Sequence, residues 1–199
     1  MKKLAVAVLM MLGAVGTSQA AGDAAAGQAR AAVCIGCHGA DGNSLNPIWP
    51  KLAGQSAAYL EKQLVDYKSG KRKDPMMSGM AMPLNDQDIA NLSAFFAKQA
   101  TSAASGNAEL VDAGKKVYQG GNMESGVAAC KGCHGPDGVG NPAAKFPAVK
   151  GQHAAYVAKQ LRDFKSGTRG NDMNGMMSGV AAKMSETEIK AVAEYVAGM

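Results

Sequence analysis

The chain has 199 residues, 47% hydrophobic and 19% charged, with a formal net charge of +5. This is the make-up of a globular protein, and its lysines are spread out rather than gathered into a stripe, which argues against nucleic-acid binding. The small basic excess bears only on solubility and weak steering of partners.

The first element reads as a leader. Lys2 and Lys3 precede an apolar run from Leu4 to Val15, and Ser18-Gln19-Ala20 puts small residues where a signal peptidase reads. Residues 1–20 are therefore expected to be a secretory signal peptide. The apolar run is too short for a spanning helix, which needs about 20 residues. The rest of the chain is expected to be soluble and exported.

Next, a short alanine-rich helix leads into Cys34-Ile35-Gly36-Cys37-His38, and the pattern returns as Cys130-Lys131-Gly132-Cys133-His134. The two copies use all four cysteines. Cys-x-x-Cys-His is the attachment signature of c-type haem: two thiols on one helical turn add to the vinyl groups, and the next imidazole is held beneath the iron as its fifth ligand. Other readings fit less well. A structural zinc site wants four protein ligands and each motif offers three. A thioredoxin-like pair starts a helix after a strand, whereas the residues before both motifs read as helical. Structural disulfides leave the following histidines unexplained. Two covalently bound haem c groups are expected, on Cys34 and Cys37 and on Cys130 and Cys133, with His38 and His134 on the irons.

A turn-rich loop bearing Pro50 follows, and then a middle helix. Its Tyr59, Leu60, Gln63, Leu64 and Tyr67 share one mainly apolar face, and Gly70 is placed to cap its end. A glycine-containing loop carries Met76 and Met77. The terminal helix opens with Asn85 and Asp88 at capping-box positions. Residues 100–108, small and polar, read as a flexible linker.

The second half repeats the first. Pro50 to Gln55 matches Pro147 to Gln152, Lys62-Gln63-Leu64 matches Lys159-Gln160-Leu161, and Met76-Met77-Ser78-Gly79 matches Met176-Met177-Ser178-Gly179. Gly167 repeats the cap, and Ser185 with Glu188 repeats the capping box. The expected architecture is all-α, with domains over residues 21–99 and 109–199. Modules of this size have marginal cores of their own, so a haem would fill the interior and the haem-free chain is expected to fold poorly.

Three histidines cannot make both haems bis-histidine. His153 stands where the first module has Ser56, and is expected to be a surface or cap residue. Methionine is the other sixth ligand. Met77 lies 39 residues past His38 and Met177 43 past His134, whereas Met80 and Met82 are replaced in the repeat by Val180 and Ala182. A thioether favours ferrous iron and closes the sixth position, which suits electron transfer rather than oxygen or peroxide chemistry. Pro50 and Pro147, 12 and 13 residues past the histidines, lie in loops that could fold back under the rings, where the free N–H needs an acceptor.

The pattern resembles the cytochrome c4 family, tandem class I cytochrome c domains. The resemblance rests on Ala21-Gly22-Asp23, both haem motifs, the Pro50-to-Gln55 and Gly151-to-Tyr156 segments and the two Met-x-Gly stretches. It implies Met77 and Met177 as axial ligands, and the carbonyls of Pro50 and Pro147 as holders of the proximal histidines. It also implies a periplasmic electron carrier, at times loosely membrane-associated, taking electrons from a quinol-oxidising complex or other donor toward a terminal oxidase. No nucleic acid or small-molecule substrate is expected. Against this stand a dihaem peroxidase, which needs one open iron position, and a haem-based sensor, for which the chain offers no output domain.

Overall fold

The computed structural model describes residues 21–104 and 106–199. The leader proposed for residues 1–20 lies outside the described residues. The first domain contains α1 (Ala24–Arg30), α2 (Ala32–His38), α3 (Ala57–Lys68), α4 (Pro75–Ala81) and α5 (Asp86–Ala97). The second contains α6 (Ala108–Gly120), α7 (Lys131–His134), α8 (Ala154–Ser166), α9 (Met176–Lys183) and α10 (Glu186–Ala197). Among the described residues there is no strand, only two isolated bridges, Asn122 with Val127 and Asn141 with Phe146. The fold is all-α and duplicated. None of these helices is long and apolar enough to cross a membrane.

In each domain the first and last helices cross closely, α1 on α5 and α6 on α10. Glycine permits the approach: a Cβ on Gly27 would lie 2.0 Å from the carbonyl oxygen of Asn91, and one on Gly114 2.0 Å from that of Ala191. Each domain then has its own core. Leu60, Leu84, Ile89, Leu92, Phe95 and Phe96 form the first, and Tyr118, Leu161, Met184, Ile189, Val192 and Val196 the second. The terminal helices begin with full capping boxes, Asn85 with Asp88 and Ser185 with Glu188, each of which satisfies two orphan N–H groups. Gly70 and Gly167 turn left-handed (φ 75° and 76°) at the ends of α3 and α8.

Three expectations are corrected. The methionine segment is not a loop but a short helix: Asp74 Oδ1 accepts from the N–H groups of Met76 and Met77 at 3.1 and 3.0 Å, with Pro75 in the first turn. An N-cap aspartate followed by proline is a strong helix start. In the repeat, a 3₁₀ turn over Met173–Gly175 leads into α9. The second haem motif does not follow its helix directly, because Gly121 (φ 71°) ends α6 and the Asn122–Val127 pair closes a small loop.

The inward face of the first middle helix, mainly apolar as expected, also carries buried polar groups. Gln63 and Asp66 are buried with Leu60 and Tyr67, and Gln63 bonds to the other domain. Residue stretch 100–108 is not free where described. Thr101 Oγ1 donates to Ala53 O at 2.6 Å, the Ser102 N–H donates to Asn43 Oδ1 at 2.8 Å, and the Ala104 N–H donates to Ala197 O at 3.2 Å. Side chains of both domains satisfy its backbone, which removes the freedom that its composition suggests.

The domains meet across a pseudo-two-fold polar interface. Arg72 donates to its own Gln63 (2.8 Å) and to Gln160 (2.8 Å) and Tyr156 Oη (3.1 Å) of the second domain. Arg169 mirrors it, donating to its own Gln160 (2.7 Å) and to Gln63 (3.1 Å) and Tyr59 Oη (3.0 Å) of the first. Each guanidinium also lies over an aromatic ring of its own domain, Arg72 on Tyr67 and Arg169 on Phe164. Buried polar groups are tolerated here because each finds several partners.

Candidate haem sites

Each site is built on the last turn of a short helix. In α2 the residues Cys34, Cys37 and His38 occupy one turn, and Gly39 (φ 83°) ends it; in α7 Cys133 and His134 follow the N-cap Cys130, and Gly135 (φ 80°) closes the turn. The i, i+3 spacing brings two thiols to the same face, and the next residue points its ring into the domain. Both histidines are buried.

The proximal rings are held alike. His38 Nδ1 lies 2.8 Å from Pro50 O, and His134 Nδ1 lies 2.9 Å from Pro147 O. A carbonyl only accepts, so Nδ1 carries the hydrogen and Nε2 keeps its lone pair. Burial lowers both imidazole pKa values, against the proline carbonyls, which raise them. The rings are neutral at pH 7, as a metal ligand must be.

All four cysteines are unpaired. Burial raises the Cys34 thiol above its ordinary pKa and pushes Cys130 up to about 11. A raised thiol pKa at Cys34 and Cys130 is the opposite of the lowered one that activates a redox cysteine. Among the described residues no three of His, Cys, Asp and Glu group around a cation position.

The methionines separate by burial. Met77 and Met177 are half-buried, and Met177 packs on the second core. Their neighbours turn outward: Met76 is 54% exposed and Met176 38%, and Met80 and Met82 are 39% and 62% exposed. Within the first turn of α4 and α9, the second methionine of each pair is thus the less exposed.

These residues fit a c-type haem. Thiols, a neutral imidazole with a free Nε2 and a half-buried thioether recur in each domain. Beside Cys34 in α2 the apolar side chains of Val33 and Ile35 are exposed, surface of the kind an apolar macrocycle would cover. Such a group supplies a one-electron couple, while the chain fixes its attachment, the orientation of the imidazole and access to the sixth position.

Sequence reading missed the interface. His153 is not simply a surface or cap residue. It occupies the N-cap position of α8 with no side-chain cap bond, and its Nε2 bonds to Ser44 O of the first domain at 2.8 Å. Ser56, its counterpart, caps α3 through Tyr59 N. Gln55, Gln152, Arg72 and Arg169 were also passed over. Their recurrence at matching repeat positions was the available signal.

Two helical domains, each organised around one Cys-x-x-Cys-His turn and a carbonyl-held histidine, define a dihaem c-type cytochrome. The cytochrome c family model matches residues 24–100 and 111–199. The chain is 51% identical to cytochrome c4 of Pseudomonas aeruginosa over 200 residues, and 48% identical to that of Stutzerimonas stutzeri over 209, with all of both chains covered in each case. Its fold is similar to the crystal structure of reduced recombinant cytochrome c4 from Pseudomonas stutzeri, with a TM-score of 0.87 and 49% identity over 90% of this chain and 100% of that one. The chain therefore belongs to the cytochrome c family and, within it, to the cytochrome c4 proteins: it binds two c-type haems and transfers electrons.

Proposed function

We propose that the chain is a periplasmic electron carrier whose haems are both histidine–methionine ligated, by His38 with Met77 and by His134 with Met177. It would accept electrons from a quinol-oxidising complex or another donor and deliver them toward a terminal oxidase, with at most peripheral contact with the membrane. One observation carries this reading: in both domains the histidine of the haem motif has Nδ1 engaged by a proline carbonyl, with a half-buried methionine at the matching place in the repeat. A thioether on the sixth position keeps the iron low-spin and closed, so the site takes and gives electrons without binding substrate. Two such sites in one chain suit a carrier rather than a peroxidase, which needs an open iron.

The test is an optical spectrum of the exported protein, oxidised and reduced, with haem counted per chain. Two haems, a sharp low-spin reduced spectrum and the weak far-red band of methionine-ligated ferric haem support the reading. A single haem, or iron that binds carbon monoxide or peroxide quickly, overturns it and revives the peroxidase and sensor alternatives.

A further inference from the structure

Two glutamines grip the opposite domain in mirror fashion. Gln152 Oε1 accepts from the Lys51 N–H and its Nε2 donates to Lys51 O, both at 2.9 Å. Gln55 Oε1 accepts from the Ala148 N–H and its Nε2 donates to Ala148 O, again both at 2.9 Å. Gln55 and Gln152 are equivalent in the repeat, as are Lys51 and Ala148, and both glutamines are buried.

Lys51 follows Pro50, and Ala148 follows Pro147. The N–H that Gln152 accepts thus belongs to the same peptide unit as the carbonyl that receives His38 Nδ1. The N–H that Gln55 accepts belongs to the unit that receives His134. A peptide is conjugated, so a hydrogen bond at its N–H polarises its C=O and strengthens that oxygen as an acceptor. A stronger acceptor draws the Nδ1 hydrogen and makes Nε2 more basic.

We propose that Gln152 and Gln55 are positioning residues for the haem of the other domain: each tunes, through one peptide unit, the proximal histidine across the interface. Docking of the domains thereby sets both reduction potentials, and each haem's affinity for an electron depends on a residue of its neighbour. The direction follows from the chemistry. A more basic imidazole favours ferric iron, so losing the glutamine raises the potential of the opposite haem.

The proposal rests on His38 and His134 being the proximal ligands. Failure of that ligation would show as an altered wild-type spectrum. Failure of the glutamine link would leave that spectrum intact and the potentials unmoved.

Gln152→Met keeps the length of the side chain and removes both polar ends. In the holoprotein, with each haem followed through its own paramagnetically shifted NMR resonances, it should raise the potential of the first-domain haem alone. The expected change is roughly two- to tenfold in the oxidised-to-reduced ratio, where tenfold is about 59 mV for one electron. Gln55→Met should do the same to the second-domain haem alone. His153→Ala loosens the same interface but keeps the backbone N–H that also donates to Gln152 Oε1 at 3.0 Å, and should move neither. A shift in the mutant's own domain, equal shifts in both, a fall, no shift, or the same selectivity with His153→Ala would each overturn the proposal. If neither glutamine variant folds, wild-type hydrogen exchange decides: the Lys51 and Ala148 amides should be slow, and fast exchange at either overturns the link.

Discussion

His153 reaches out of its own domain to bond through Nε2 to the carbonyl of Ser44 at 2.8 Å, 109 residues away in the chain. A histidine that repeats nothing in the first half thus serves the contact between halves. His153→Ala should lower stability by about 0.5–1.5 kcal/mol, the usual net worth of such a bond, read from chemical denaturation of the holoprotein. Its absorption spectrum should stay that of the wild type. A loss of low-spin character would mean that the residue reaches an iron.

The two methionine pairs make a sharper contrast. Met77 and Met177 are half-buried, while Met76 and Met176 are exposed. Met77→Ala and Met177→Ala should each remove about half of the far-red methionine–iron band and open one haem to carbon monoxide, since a soft ligand is lost from the sixth position. Met76→Ala and Met176→Ala should change neither. The reverse pattern in either domain would reassign its ligand.

Glycines at different places should respond with opposite sign. Gly27→Ala drives a methyl into the Asn91 carbonyl, 2.0 Å from the ideal Cβ, so α1 must back away from α5 at a cost of about 1–3 kcal/mol. Gly120, in α6, has nothing within 4 Å of its Cβ position. Gly120→Ala should stabilise by up to about 1 kcal/mol through helix propensity and a less flexible unfolded chain. Thermal unfolding of the two holoproteins tests the pair, and destabilisation by Gly120→Ala would contradict the packing described.

The second capping box should carry a pH signature. Burial raises the pKa of Glu188, but bonds from Asn122 Nδ2 (2.7 Å) and from the N–H and Oγ–H of Ser185 (2.8 Å each) outweigh it and hold the carboxyl below its ordinary value. A depressed carboxylate stabilises the fold above its unfolded pKa, and that stability is lost as pH falls through the folded value. Glu188→Ala should cost about 1 kcal/mol at neutral pH after allowance for solvent screening, and little in acid. Denaturation at several pH values checks this; a constant cost at every pH would refute it.

Much of the architecture is legible in the chain because it is local or repeated. The Cys-x-x-Cys-His turns, both capping boxes and the glycine ends of α3 and α8 each span only a few residues. The duplication doubles every signal and marks two helical domains. The pairing of each motif with one proline is legible as a repeat too, although only the folded chain puts the Pro50 and Pro147 carbonyls on the histidine rings.

For Gln63 and residues 100–108 composition misleads for one reason. Gln63 reads as an apolar-face outlier and residues 100–108 as a loose tether, because nothing nearby in sequence shows what they touch. In the fold Gln63 accepts from Arg169, and Thr101 and Ser102 are held by Ala53 and Asn43. The methionine stretch differs: its helix start, the Asp74 cap with Pro75 in the first turn, is local.

By itself, then, the sequence determined the class of cofactor, the duplication and the all-α fold, since attachment chemistry and helix caps act over a turn or two of chain. Only the tertiary structure decided what His153 bonds to, and that Gln55 and Gln152 cross to the other domain's proline peptide. Those contacts join residues about a hundred positions apart, and they exist only once two separately formed helical cores have docked.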